Sequence, residues 1–484
     1  MKTKDAEKDE KKEIRASTPA PPKGKDRWKW YGPGLIWMLS SVGSGSVLFT
    51  PRIGSRYEYS LLWVALVVFI LMWVMIREVG RYTVVTGKSI LDGFHDLSGS
   101  SGWAIWLIFV PQLVAAVVTI AGIAALAGSA LMIALPGSQL LYAISLIVFS
   151  IVLVVSGRYR WVERATNALA ALLVLIVVVT AVKVIPSGQA LLSGAVPSIP
   201  QNFDIQFVLP WVGFILAGAA GIMWFSYWVV AREYGGPQAS PEDVEHIPED
   251  TGEEQERAGR LKEWFRIMGT TAAIGVAGGG LIIVAFMTLG AELLAPKGIV
   301  PQGIQVAEDL TRLLSEVWGR AGFWLLITAI VIALGGTVLA NQDGWGRMFA
   351  DASLILLAPW FRKTDKVAYN NRRDIHPSDK ANGKEKRLYD LVTKRRQLKN
   401  AYAIVFCAAI PVALLFIVQD PVAILSIGGA VATAHTPIVV FLTLYLNHQR
   451  LPKALAPGFF TNFMMVVAGI FYLGFALFYF ISKV

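Results

Sequence analysis

Two stretches of small and polar residues interrupt runs that are otherwise fit to cross a bilayer. The first is Gly43-Ser44-Gly45-Ser46, inside the apolar run that begins near Leu35. The second lies in FVLPWVGFILAGAAGIMWFSYWVVARE, where Ala217-Gly218-Ala219-Ala220-Gly221 precedes Met223, Trp224, Phe225, Ser226 and Tyr227. Glycine in a helix interior costs about 1 kcal/mol relative to alanine, so both runs carry their weakest helix formers at the centre. An unwound backbone inside a membrane is tolerated only where it lines a cavity or is buried in protein. The groups on offer are backbone amides and carbonyls, serine hydroxyls, one thioether and aromatic rings, which suit capture and release of a small solute. We therefore take Gly43, Ser44, Gly45, Ser46, Met223, Trp224, Phe225, Ser226 and Tyr227 as candidate substrate-binding residues. Small-residue helix packing is the competing explanation.

A few ionisable groups lie close to the same apolar runs. Glu78 and Arg81 stand three residues apart, the spacing of a local ion pair on one helix face, with Arg77 beside them. Asp343, in ANQDGWGR, and His435, in ATAHTP with Thr433 and Thr436, are the other two. Ionisable residues within membrane segments default to functional hypotheses, so Glu78, Arg81, Asp343 and His435 are candidates for coupling or gating. Arg52 and Arg56 follow the first interruption, where they act either as attractors of anions or as interfacial anchors. The five histidines, His95, His246, His376, His435 and His448, show no metal-ligand spacing, and the single cysteine, Cys407, sits in an apolar run. No HExxH, CxxC or GxxxxGK[ST] occurs. We expect no catalytic residues, no resident metal, no cofactor and no enzymatic activity.

The elements that must position these residues are membrane helices. The chain has 484 residues, of which 55% are hydrophobic and 16% charged, too little charge to cover a soluble protein of this size. Apolar runs of about 20 residues, the length that spans a bilayer core, recur along it. We place eleven spans at roughly 33–55, 60–83, 102–134, 139–157, 161–186, 207–231, 267–292, 321–346, 400–418, 422–446 and 457–481. If spans one to five (33–186) and six to ten (207–446) are two inverted repeats, with an extra span at 457–481, spans one and six are equivalent elements. Residues 31–484 are then one transporter domain, and the charged, proline-punctuated residues 1–30 a disordered cytoplasmic tail without a signal-peptide core. Paired interruptions in corresponding spans, here one and six, point to a solute site near the membrane midplane.

With the N-terminus inside, 37 of the 44 Lys and Arg fall on the cytoplasmic side, the asymmetry of the positive-inside rule. The C-terminus is then outside, and a plasma (inner) membrane location follows. The net charge of +10 is explained by basic cytoplasmic loops, without nucleic acid as a partner. The partners we expect are a small solute and the lipid bilayer. In IQVAEDLTRLLSEVWGRAG, Val306, Leu310, Leu313, Leu314 and Val317 recur at helical spacing, which predicts a short interfacial helix on the outer face.

GPGL at 32–35, YSLLW at 59–63, VVTGK at 84–88, AGSA at 127–130 and RWVERATNAL at 160–169 stand in the order and spacing of a known family, and through them the chain resembles the Nramp metal-ion transporters. The resemblance implies an all-α polytopic protein of about eleven transmembrane helices, a leucine-transporter-like five-plus-five inverted repeat with spans one and six broken, and alternating access. It also exposes losses. The family's span-one Asp-Pro-Gly-Asn falls on Gly43 to Ser46, and its span-six Met-Pro-His-Asn falls near Met223 to Ser226, with Phe225 at the histidine. The acids of its proton route in span three fall on Gly122 and Ala125.

Three cargo readings remain open at this level. A dehydrated divalent ion needs charged or numerous oxygen ligands, and a transition metal favours thioether, imidazole or carboxylate, so ordinary Mn²⁺ or Fe²⁺ transport is disfavoured. A more hydrated cation such as Mg²⁺ is the first reading. The second is a small organic or anionic solute, an amino acid or carboxylate, because Gly43 to Ser46 also resembles the Gly-Ser-Gly break of amino-acid transporters of the same superfold. The third is a non-transporting sensor.

Overall fold

The computed structural model describes residues 18–40, 43–97, 102–157, 160–185, 188–235, 252–361 and 395–482. His246, His376 and the centre of the basic loop after span eight lie outside these residues, as do residues 1–17 of the expected tail. All regular elements among the described residues are helical, and ten helical stretches are long and apolar enough to cross a membrane.

Span one adds the eleventh as two half-helices: α1 (Gly32–Ser40) and α2 (Thr50–Tyr57), the latter entered through a wide π-type turn at Gly45–Phe49. Span two is α3 (Leu62–Thr86), which Gly87 ends in the left-handed conformation. The short α4 (Ile90–His95) begins with a capping box between Ser89 and Asp92. Spans three, four and five are α5 (Trp103–Ala134), α6 (Gln139–Ser156) and α7 (Arg160–Val184), with α8 (Gly188–Gly194) lying between spans five and six. Span six is again two half-helices, α9 (Ile205–Phe214) and α10 (Gly218–Ala231), joined through Ile215–Ala217. Span seven is α11 (Gly252–Leu289), and span eight belongs to the long α12 (Val306–Phe361). Span nine is α13 (Arg395–Ile404) followed by α14 (Ile410–Ile417), span ten α15 (Pro421–Arg450) and span eleven α16 (Phe459–Ile481).

The packing divides into two groups. Spans one, two, six and seven pack on one another, α11 touching α1, α2 and α3 while α10 lies on α3. Spans three and eight, corresponding members of the two repeats, pack together and hold spans four, five, nine and ten around them. The two groups meet along α15, which contacts α5 on one side and α9 on the other. The sites of interest lie at that seam.

Three expectations are corrected. The helix expected at 306–318 turns its apolar stripe to the protein: Val306, Leu310, Leu313 and Leu314 are fully buried in the core. It runs into span eight through a kink at Gly319, whose φ of 57° only glycine adopts cheaply. Its apolar stripe needed an apolar partner, and the protein rather than lipid supplies it. The expected disorder of residues 1–30 does not extend to residues 18–30, where Gly24–Trp30 is a 3₁₀ helix packed along α11. The span-six interruption lies at Ile215–Gly218, upstream of the full Ala-Gly stretch, and Gly221 sits in regular helix.

Candidate functional site

The breaks of spans one and six meet. In span six the chain turns at Leu216 (φ 57°, ψ 42°) and Gly218 (φ 55°, ψ −159°). A left-handed non-glycine residue costs roughly 1–2 kcal/mol, and the fully buried Leu216 is held there by packing around its side chain. In span one, helix is described as far as Ser40 and again from Ser44, with Gly43 in a turn whose carbonyl accepts from Val47 N at 2.9 Å, so the Gly-Ser stretch forms the first turn of the second half-helix. Gly45 lies directly against the Phe214 carbonyl at the end of α9, so closely that any Cβ there would collide with it. Close approach of two backbones, as much as helix weakness, requires this glycine.

Indoles and a hydroxyl stitch the crossing. Trp211 Nε1 donates to Thr50 Oγ1 at 3.1 Å, and Thr50 Oγ1 donates to the Gly45 carbonyl at 2.8 Å. Trp37 Nε1 of α1 reaches the Gly221 carbonyl of α10 at 3.4 Å. The Phe49 and Phe214 rings stack with centroids 5.7 Å apart. On the span-ten side, Thr433 Oγ1 donates to the Leu209 and Gly429 carbonyls. Gly43 to Ser46 and Met223 are all buried, so the junction is closed in this structure. Its polar inventory among the sequence-chosen residues is backbone, the Ser44 and Ser46 hydroxyls and the Met223 thioether.

The remaining span-six candidates are drawn away from the junction. Ser226 Oγ donates to the Met223 carbonyl at 2.7 Å and accepts from Ile90 N at 3.3 Å, joining α10 to the start of α4. Phe225 packs towards Gly80 of α3. Tyr227 lies in the field of Asp351, Asp92 and Arg395. Trp224 meets Trp345 of α12 edge-on, with centroids 5.2 Å apart.

That contact leads to a buried polar chain which the sequence reading missed. Trp345 Nε1 donates to Gln112 Oε1 at 2.9 Å, and Gln112 Nε2 lies 3.0 Å from His435 Nδ1. An indole N–H can only donate, which fixes the Gln112 amide with its oxygen towards Trp345. Gln112 must then donate to His435 Nδ1, so neutral His435 carries its proton on Nε2. His435 is thereby tied to spans three and eight. The available sequence signal was an amide in the apolar interior of span three, next to Pro111.

The charged candidates are paired. Glu78, fully buried, holds Arg81 in a two-pronged contact of 2.7 and 3.0 Å, confirming the ion pair that the spacing predicts. Arg81 also donates to the Leu455 carbonyl at 3.0 Å and stacks over Phe265 at 4.1 Å, while Asn447 donates to the Glu78 carbonyl at 3.0 Å. The pair thus latches α3 to α11, α15 and the segment before α16. Asp343 is held by Arg347 at 2.7 Å and by Lys399. Nearby, burial works against the charge of Asp96, but the His95 hydrogen bond and Lys88, at 3.0 Å, outweigh it and hold its carboxyl down at about 2.

At the other end of span one, Arg52 donates to the Pro301 carbonyl at 2.6 Å. Arg52 and Arg56 flank the Phe207 ring at 4.5 and 4.6 Å, and Arg56 pairs with Asp204 at 3.2 Å. Both arginines therefore join α2 to α9 and its approach. Among the described residues no group of three or more His, Cys, Asp or Glu could hold a metal ion. In span three Leu425 of α15 packs against Gly122, occupying the place a longer side chain would need.

Comparison with known proteins agrees with this architecture. Residues 34–340 match the family described as Nramp, natural resistance-associated macrophage protein-like. An uncharacterised protein of Pasteurella multocida is 20% identical over 353 residues, covering 70% of this chain and 73% of that protein. Among solved structures, the Eremococcus coleocola manganese transporter bound to an aromatic bis-isothiourea compound superposes with a TM-score of 0.64 at 14% identity. That likeness covers 96% of this chain and 89% of the other. Mhp1, a nucleobase-cation-symport-1 family transporter in a closed conformation with bromovinylhydantoin bound, gives 0.52 at 13% identity, covering 92% and 90%. Through the family match over most of its length and a shared fold with spans one and six broken, this integral membrane protein belongs to the Nramp family.

Proposed function

We propose that the chain is a secondary transporter that carries a divalent cation retaining much of its water, with Mg²⁺ the best fit, by alternating access at the junction of spans one and six. The observation that carries this is the chemistry of the junction. Two broken helices meet there around backbone groups, two hydroxyls and one thioether, while the carboxylates of Glu78 and Asp343 are committed to cations elsewhere. A stripped transition-metal ion would find one soft donor, Met223, and no charge to replace its hydration. Mg²⁺ dehydrates reluctantly and keeps several waters when bound, so hydroxyls and carbonyls can serve as partners to those waters. The cation class is supported by family membership, and the shared fold with a manganese transporter is compatible with it. In this scheme Arg52 and Arg56 close the outer end and the Glu78–Arg81 latch the inner end. The N-terminus is cytoplasmic, the C-terminus lies outside, and the protein resides in the plasma membrane.

The test is ion flux into proteoliposomes loaded with a Mg²⁺-sensitive dye. We expect Mg²⁺ entry that Mn²⁺ does not outpace. Fast Mn²⁺ entry with Mg²⁺ ignored contradicts the proposal.

One observation favours a second reading, a small carboxylate-bearing solute. Gly43 to Ser46 form the first turn of the outer half-helix, where the positive end of the helix dipole favours an anion. Counterflow with a panel of amino and carboxylic acids separates the two: uptake of such an acid without Mg²⁺ flux selects the second.

A further inference from the structure

Residues 18–31 form a strap along the N-terminal part of α11, held by specific polar groups. Arg260 donates to the Thr18 carbonyl at 2.9 Å and Trp264 Nε1 to the Pro19 carbonyl at 2.9 Å. Tyr234 and Thr271 both reach the Trp30 carbonyl. Trp30, Tyr234 and Trp264 pack edge to face. The strap runs directly into α1, the inner half of span one.

Along its seam with α11 lies a cavity of about 100 Å³ lined by Arg27, Tyr31, Glu263, Arg266, Ile267 and Thr270. Its one carboxylate, Glu263, is committed to Arg27 at 2.7 Å. Arg266 is exposed, and with Arg27 it gives the cavity lining two guanidiniums against one carboxylate, beside the Tyr31 hydroxyl. Lys23 and Lys25 of the strap, both exposed, add to the positive field. Trp28 is 74% exposed, an indole projecting from the protein at the level where α11 passes from its charged first turns into its apolar run. Indoles favour the headgroup layer, and basic pockets at that level bind anionic headgroups.

We propose that this seam binds the phosphate of an anionic phospholipid, with Arg266 as its principal ligand and Trp28 seated among the headgroups. A guanidinium offers paired N–H donors matched to two phosphate oxygens; Tyr31 belongs to the same lining, while Thr270 Oγ1 donates to the Arg266 carbonyl at 3.0 Å. Occupancy clamps the strap, and with it the inner half of span one, against α11.

The test uses the full-length protein in phosphatidylcholine nanodiscs with or without phosphatidylglycerol, read by thermal unfolding and by native mass spectrometry of retained lipid. Phosphatidylglycerol is expected to raise the midpoint by several degrees and leave a retained anionic lipid. Arg266→Gln loses most of that shift, and Arg266→Lys keeps part of it. Unchanged unfolding of Arg266→Gln in pure phosphatidylcholine shows that the substitution leaves the fold intact. Inorganic phosphate added to phosphatidylcholine nanodiscs should have no effect; an equal shift from it would mean a free-anion site and overturn the lipid assignment. An undiminished response in Arg266→Gln, or an equal shift from neutral lipid, overturns the proposal outright.

Discussion

The junction of spans one and six and the latch towards the C-terminal end of span two are equally buried and chemically opposite. Ser46 at the junction is 1% exposed and Glu78 in the latch 0%. The junction offers only neutral groups, whereas the latch buries a carboxylate against a guanidinium less than one helical turn away. The membrane domain therefore tolerates buried charge, provided the compensating partner is built in. A charge at the junction would lack a permanent partner whenever the cargo left. A neutral junction has no such cost, and it suits a cargo that brings its own water.

The largest effect should come from unbalancing the latch. Glu78→Gln leaves Arg81 buried without its counter-charge, a loss on the order of 3–5 kcal/mol. It should appear as a marked fall in unfolding midpoint in detergent, with much of it recovered by Glu78→Gln combined with Arg81→Met. A Glu78→Gln protein as stable as the parent would erase the contrast between the two regions.

Gly45→Val tests the other side. Its Cβ would collide with the Phe214 carbonyl, and forcing the half-helices apart costs about 1–3 kcal/mol. Transport should fall at least tenfold by our estimate, because the two breaks no longer meet. Retained flux would mean that the junction is packing alone.

A smaller loss is expected from Gln112→Leu, which strands the Trp345 indole and His435 Nδ1. Each orphaned group costs about 1–3 kcal/mol, measurable by thermal unfolding. No loss would show that these groups find other partners.

The smallest effect is pH-dependent. Asp96 is held at about 2, against the ordinary 3.8, so its stabilisation is complete above about 4 and disappears as pH falls towards 2. That contribution is on the order of 1–2 kcal/mol. Asp96→Asn should lower the midpoint at neutral pH and flatten this part of the acid profile.

Much of the architecture was legible because lipid imposes few solutions. Apolar runs gave the spans, and glycine interruptions located both broken ones. The Glu78–Arg81 pair followed from spacing three residues apart, since helix geometry alone brings those side chains together. What sequence misplaced depends on tertiary packing. The span-six turn falls at Leu216, a residue with no intrinsic preference for positive φ, because its side chain is gripped on all sides. Ser226 looked available for cargo, yet its hydroxyl is used by Met223 and Ile90. The outer helix showed the right periodicity with the wrong partner, because an amphipathic pattern does not say whether protein or lipid covers it. The Trp345–Gln112–His435 chain joins three spans distant in sequence, and no local pattern announces such a meeting.

The most direct test of a neutral junction built for a hydrated cation is Mg²⁺ and Mn²⁺ flux measured side by side in proteoliposomes of the parent protein and Gly45→Val. The account predicts Mg²⁺ flux in the parent that Mn²⁺ does not exceed, lost in Gly45→Val. Mn²⁺ flux well above Mg²⁺ flux, or Mg²⁺ flux unchanged in Gly45→Val, would contradict it.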